Sequence, residues 1–235
     1  MHEQIDLLDH GFIRLVDSMG TDLSIARNAR VSYDAEWRAG EDEGSDARLI
    51  RYLYKNGHNT PFESVVFTFD VKAPIFVFRQ WMRHRTQSFN ELSARYRELP
   101  EEFYVPEPHL VGKQSTDNKQ MRDTLTPEQY AALSGEERGN TEMWLAVMHC
   151  ENKASFRTYK GMLADGVPRE LARSVLPVAT YSHMFATVNL NNLFKFLHER
   201  LHKHAQYEIR VYAQAILGLI RPIAPVAVGV FEDTL

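Results

Sequence analysis

Cysteine is almost absent from this 235-residue chain: Cys150 is the only one. A lone thiol cannot close an internal disulfide, so a reducing compartment is expected. Long apolar runs are missing too. No window approaches the roughly 18 apolar residues a membrane helix needs. The opening Met-His-Glu-Gln-Ile-Asp carries acids where a signal peptide has an apolar core. Together these absences predict a soluble, cytoplasmic protein. Glycine fingerprints are also missing. Neither Gly-x-Gly-x-x-Gly nor Gly-x-x-x-x-Gly-Lys-[Ser/Thr] occurs, so no Rossmann or P-loop nucleotide site is signalled. No Gly-x-Ser-x-Gly nucleophile elbow occurs either. Finally, 27 basic residues against 31 acidic ones leave a net charge of −4. That balance argues against bulk nucleic-acid or anionic-membrane binding.

What is present supports a real core, with 44% hydrophobic residues and no internal repeat or linker. The pattern predicts one α+β domain over residues 1–235: a twisted sheet flanked by helices, with a long C-terminal helix. Phe12 to Asp17 reads as a strand, and Asp22 or Thr21 caps a helix to about Arg30. After an acidic loop from Ala39 to Ser45, Asp46 caps a helix with Leu49, Ile50, Leu53 and Tyr54 on one face and Gly57 as its stop. Thr60-Pro61-Phe62-Glu63 reads as one helical turn. Phe67, Phe69 and Val71 alternate with Thr68, Asp70 and Lys72, the mark of a half-buried strand. Pro74 opens a helix through about Arg85, which sets Gln80, Arg83 and His84 on one side and packs Phe78, Trp81 and Met82 on the other.

Residues 101 to about 141 are polar and proline-punctuated, and read as a surface insertion with one short helix at Thr126-Pro-Glu-Gln129. A helix from about Glu142 to Ala164 should bury Trp144, Met148, Tyr159 and Met162 and leave Cys150 half-buried. Pro168 opens a short helix through Arg173. A strand from Val178 to Val188 and one long helix from about Asn191 to Leu217 complete the reading, with Gly218 as the helix stop.

The densest polar chemistry lies between Arg83 and Tyr96, directly behind the apolar Ile75-Phe-Val-Phe. Three arginines, a histidine, a glutamate and two serines rooted in a buried element suit an anionic planar ligand, because guanidinium forks donate paired hydrogen bonds. Two other readings compete. His198-Glu199-Arg200-Leu201-His202 matches the His-Glu-x-x-His zinc-peptidase helix literally, with no third ligand at a metzincin-type spacing. The Arg83–Arg97 stretch, with Phe89 and Tyr96, also has the make-up of an RNA-contact patch. On a continuous helix of about 100° per residue, Arg200 and His204 share a face nearly opposite His198 and His202. Only one of those faces can line a site.

Arg83-His84-Arg85, seven residues and Ser93 resemble the signature of the flavin-dependent thymidylate synthases. The likeness continues through Gly57-His58-x-Thr60-Pro61-Phe62-Glu63, Gln80-Trp81, Glu91-Leu-Ser-x-Arg95-Tyr96, Gly166-Val-Pro-Arg-Glu170 to Arg173, Leu176-Pro177, Thr187-Val-Asn189 and His204-Ala-Gln206-x-Glu208-Ile209. It spans Gly11 to about Arg210 apart from the insertion.

The resemblance implies conversion of dUMP to dTMP, with methylenetetrahydrofolate giving carbon and NADPH giving electrons through FAD. It implies a homotetramer with shared active sites, no resident metal, no nucleic-acid partner and no membrane. Carried over by position, Gln80, Trp81, Met82, Arg83, Glu91, Leu92, Ser93, Ala94, Arg95, Arg173 and Arg200 meet dUMP. Thr60, Arg83, His84, Arg85, Glu91, Asn189, Leu190 and Asn191 meet FAD, with Ser32, His58 and His204 as further flavin-side candidates. Arg200 is the implied catalytic residue, acting beside the uracil N3, while His198 and His202 are expected elsewhere. Asn191 and Lys195 depart from the residues some relatives carry at flavin-contact positions.

Overall fold

The computed structural model describes residues 3–235. The expectation drawn from the first six residues falls partly on Met1 and His2, which lie outside the described residues. The architecture is α+β, and its centre is an antiparallel five-stranded sheet. Its strands are β1 (Ile5–Leu7), β2 (Gly11–Met19), β3 (Val66–Pro74), β4 (Ser88–Glu91) and β7 (Tyr181–Asn189). They lie in the order β1-β2-β3-β7-β4. Period-2 alternation sets the sheet: Phe67, Phe69 and Val71 are fully buried, while Thr68 pairs across to Thr187 at 3.0 Å. Asp70 departs from the half-buried expectation. It has no exposed surface, and Arg14 Nε at 2.7 Å and the His183 ring donate to it. A buried carboxylate is tolerable only with such partners.

Helices α1 (Asp22–Arg30), α2 (Glu43–Lys55) and α3 (Ile75–Trp81) follow the sequence reading with two corrections. Helix α2 starts inside the expected acidic loop, because Asp42, not Asp46, accepts the capping bond from Ser45 N at 3.0 Å. It ends as expected. Gly57 takes φ +69°, its N–H donates to Tyr54 O, and His58 N–H donates to Leu53 O, a Schellman closure. Helix α3 stops at Trp81, four residues early. Arg83 and His84 therefore lie in the following turn, and Gln80, Arg83 and His84 do not share a helical side. That turn leads into β4, a polar edge strand paired with Met184–Thr187 of β7. Its exposed outer side removes the apolar alternation by which a strand is recognised.

The insertion is more ordered than a single helix. It holds α4 (Pro108–Val111), the hairpin β5 (Lys113–Gln114) with β6 (Arg122–Asp123), and the capped α5 (Pro127–Ala131). Helix α6 (Gly135–Ala164) begins seven residues earlier than expected, at the Ser134/Glu137 capping box. Its buried residues are Leu145, Asn152, Phe156 and Tyr159. Trp144, 60% exposed, and Met148 instead join Met143 and Val147 in an exposed apolar stripe, and Cys150 is exposed rather than half-buried. Helix α7 (Arg169–Ala172) follows Pro168 as expected.

The expected long C-terminal helix is two helices, α8 (Leu190–Leu201) and α9 (Tyr207–Ile220), with α10 (Pro225–Glu232) behind them. Both α8 and α9 bury an apolar face, but His202 turns extended at φ −57°, ψ 141° and the polar run between them forms a connection. Gly218 lies inside α9, where its missing side chain leaves open space and stops nothing. Among the described residues no helix is long and apolar enough to cross a membrane.

Candidate active site

Two open clefts flank the turn between α3 and β4. The first, of about 580 Å³, is lined by Arg79, Glu91, Leu92, Ser93, Ala94, Arg173, Ser174 and Ser182, among others. Pairing of β4 with β7 builds it, since that register brings Glu91 beside Met184 and lets Ser182 Oγ donate to Glu91 at 2.6 Å. Arg173 comes from the turn after α7; its Nε donates to Glu170 O at 3.4 Å, and the guanidinium is exposed. Arg95 stands near the rim, 3.9 Å from Glu170. Both groups are half exposed, so this ion pair leaves Arg95 available.

The second cleft, of about 480 Å³, is walled by Tyr54, Phe62 and Phe194 and edged by Asn59, His84, Asn191, Lys195, His198 and Glu199. Phe194 is held by stacking on Phe231, ring centres 4.6 Å apart. Asn191 Nδ2 donates to Glu63 Oε1 at 3.1 Å, tying α8 to the Thr60–Ser64 turn.

Arg200 is joined to the second cleft through His84, which edges it. Arg200 Nε donates to His84 Nε2 at 3.0 Å, and the His84 ring sits edge-on to Phe196. Burial lowers the His84 pKa below the ordinary imidazole value, and the Arg200 charge lowers it further. His84 is thus held neutral, with Nε2 accepting the hydrogen bond from the Arg200 Nε–H. Burial also lowers the Arg200 pKa.

The structure sorts the expected residues unevenly. Glu91, Leu92, Ser93, Ala94 and Arg173 line the first cleft, and His84 and Asn191 the second. Arg83 and Arg85 are exposed in the turn beside His84, while Thr60 is exposed in the Thr60–Ser64 turn. Trp81, 1% exposed, and Leu190, fully buried, give their side chains to the core. The Leu190 N–H is spent on Val65 O, so neither side chain can reach a ligand. Met82 packs partly against the same core. Asn189 uses its carbonyl oxygen to cap α8 through Asn192 N.

Ser32 and His58 line neither cleft. Ser32 is exposed on the Val31–Tyr33 turn, and His58 packs edge-on to Tyr52. His204 lies past the end of α8, so it shares no helical face with Arg200; it lines a third cleft with Arg122 and Gln206. His198 is not elsewhere: it edges the second cleft together with His84. Arg79, Ser182 and Lys195 are lining residues the sequence reading left out. Arg79 directly precedes Gln80 and was visible as a cation there. Ser182 carried no local signal, because only strand pairing brings it to Glu91.

A family model described as thymidylate synthase complementing protein matches residues 14–226. The chain belongs to the flavin-dependent thymidylate synthase family. Flavin-dependent thymidylate synthases similar to it include that of Thermotoga neapolitana, 44% identical over 94% of this chain and 91% of the relative. That of Thermus thermophilus is 45% identical over 98% and 79%. Among solved structures, a UMP/dUMP methylase, PolB, from Streptomyces cacaoi bound with 5-Br dUMP superposes with a TM-score of 0.83 at 36% identity, covering 97% of each chain.

The second cleft fits a flavin in its chemistry: aromatic walls for a planar ring, with amide, ammonium and imidazole groups at its edge for the ring's polar rim. The zinc reading finds no support. Helix α8 ends at Leu201, so the two histidines are not on one helix, and among the described residues no group of three or more His, Cys, Asp or Glu could hold a metal ion. The RNA reading finds none among the relatives.

Proposed function

We propose that this protein carries out its family's reaction, reductive methylation of dUMP to dTMP with methylenetetrahydrofolate as carbon donor and NADPH as reductant through FAD. The observation that carries this reading is the Arg200–His84 bond, which fixes one guanidinium against the imidazole that edges the aromatic cleft. The relatives' names and the 5-Br dUMP held by the Streptomyces cacaoi methylase support the choice of ligands.

In the Ser93 cleft, Arg173 and Arg95 hold the phosphate by paired hydrogen bonds, with Ser93 adding a hydroxyl. Glu91, fixed by Ser182, orients the sugar side. Gln80 and Arg83 position the pyrimidine end toward Arg200. Arg200 sits beside N3 and O2 of the uracil, where its fixed charge stabilises negative charge as it develops and drives electron density toward C5. His84 orients that guanidinium by accepting a hydrogen bond from its Nε–H. It stays neutral while doing so. Asn191 and Arg85 meet the flavin at the aromatic cleft, whose Tyr54, Phe62 and Phe194 walls offer apolar surface to a planar ring. Bound FAD supplies the hydride equivalent that completes the methyl group. The substrate itself is the nucleophile, so the exposed Cys150 takes no part.

We read residues 1–235 as one domain, with 101–141 as an insertion. The reading also takes the protein to be a cytoplasmic homotetramer with shared sites. The openness of both clefts and the exposed stripe Met143, Trp144, Val147 and Met148 support assembly. Tritium release from C5-labelled dUMP, with FAD, NADPH and methylenetetrahydrofolate present, tests the reaction. Yellow protein releasing one tritium per dTMP is the expected result, and a colourless protein releasing none overturns it.

A further inference from the structure

A chain of polar side chains links α3 to the insertion, and of these the reaction above uses only Gln80. Glu208 is 1% exposed at the start of α9. Arg122 of β6 binds it through both terminal nitrogens, at 2.6 and 3.4 Å, and Tyr104 donates its hydroxyl at 3.0 Å. Gln206 Nε2 donates to Glu208 Oε2 at 2.8 Å, and Gln206 Oε1 in turn accepts from Gln80 Nε2. Gln80 lies on α3 next to Arg79, which lines the cleft.

We infer that Gln206 and Glu208 are positioning residues that fix which end of the Gln80 amide faces the nucleotide, and that Arg122 of the insertion anchors them. The reason is polarity. An ionised carboxylate only accepts hydrogen bonds, whereas an amide has one donor end and one acceptor end. Glu208 therefore compels Gln206 to turn its NH2 inward and its oxygen outward. That oxygen compels Gln80 to spend its NH2 on Gln206. Gln80 Oε1 is left for a donor on the ligand. Burial works most strongly against the Glu208 charge, but the Arg122 hydrogen bond and charge, with the hydrogen bonds from its own backbone N–H and from Gln206, together outweigh it, and its pKa lies below the ordinary carboxylate value. The carboxylate form that sets the direction is thus kept. The hairpin of the insertion thereby delivers the cation that holds the relay in place.

This inference rests on Gln80 meeting dUMP, so the test separates the two. Gln80→Leu, Gln206→Leu and the double variant are compared as flavin-loaded enzymes. Gln206→Leu cuts the relay yet leaves the Glu208–Arg122–Tyr104 cluster intact. The expected result is a KM and a calorimetric Kd for dUMP raised about tenfold, the scale of one hydrogen bond to a fixed polar partner. kcat and the flavin spectrum should move far less. The double variant should be no weaker than Gln80→Leu alone, because both changes break one unit. Arg122→Met should shift KM in the same direction. A Gln206→Leu enzyme with wild-type dUMP affinity, or additive effects in the double variant, overturns the relay. Wild-type protein that binds no dUMP overturns the nucleotide reading instead.

Discussion

Arg200 donates its Nε–H to His84 Nε2 at 3.0 Å, joining the turn after α3 to the last turn of α8. The contact links two residues 116 positions apart and sets the guanidinium against the imidazole that edges the aromatic cleft. It also makes the neutral imidazole a structural requirement, because a protonated Nε2 would face Arg200 with a hydrogen instead of a lone pair.

Arg200→Ala should lower kcat for tritium release by about 10²- to 10³-fold, the scale seen when one preorganised charge-stabilising donor is removed. Circular dichroism should be unchanged, since the side chain lies at a helix end. An activity loss under about threefold, below what such a donor contributes, would reassign the catalytic role.

The pH dependence follows from His84. Its pKa in the folded protein lies below 6.5, from burial first and the Arg200 charge second. Below pH 6.5 the unfolded chain takes up the proton before the folded one does. The stability contributed by neutral His84 is therefore present above pH 6.5 and lost as pH falls toward the depressed value. Activity should hold through that window and fall only as pH drops through the depressed value, where folded His84 takes up its proton and the Arg200 bond breaks. In Arg200→Ala the histidine should titrate higher, closer to 6.5, by proton NMR of the ring. An unchanged titration would show that burial alone sets it.

His198→Ala tests the placement of that residue at the aromatic cleft. Because His198 edges the cleft, its removal should weaken FAD binding by roughly two- to fivefold, the loss of one exposed polar contact, while leaving the dUMP KM unaltered. Flavin titration by fluorescence measures this. A complete loss of activity with flavin still bound would restore a direct chemical role to the His198 face.

Gly57→Ala should destabilise the protein by about 1–2 kcal/mol, the backbone cost of a left-handed conformation for an alanine. Nothing lies within 4 Å of the added Cβ, so no clash contributes. Urea denaturation gives the value. A neutral result would mean that the α2 end relaxes away from φ +69°.

The sequence by itself determined the elements whose patterns are local. Alternation in Phe67-Thr68-Phe69-Asp70-Val71 requires only the period of a strand, and Thr126 with Gln129 requires only the reach of a cap. The motif residues of Arg83 to Arg95 were legible as chemistry for the same reason: their types and spacing are local facts. Tertiary structure decided what depends on distant partners. The edge strand Ser88–Glu91 exists because β7 supplies its hydrogen bonds, and the break at His202 separates two helices that each pack an apolar face. Ser182 reaches Glu91, and Arg122 reaches Glu208, only through packing. A guanidinium's role is set by what it is held against. For Arg200 that is His84, whose lone pair no local pattern could have placed there.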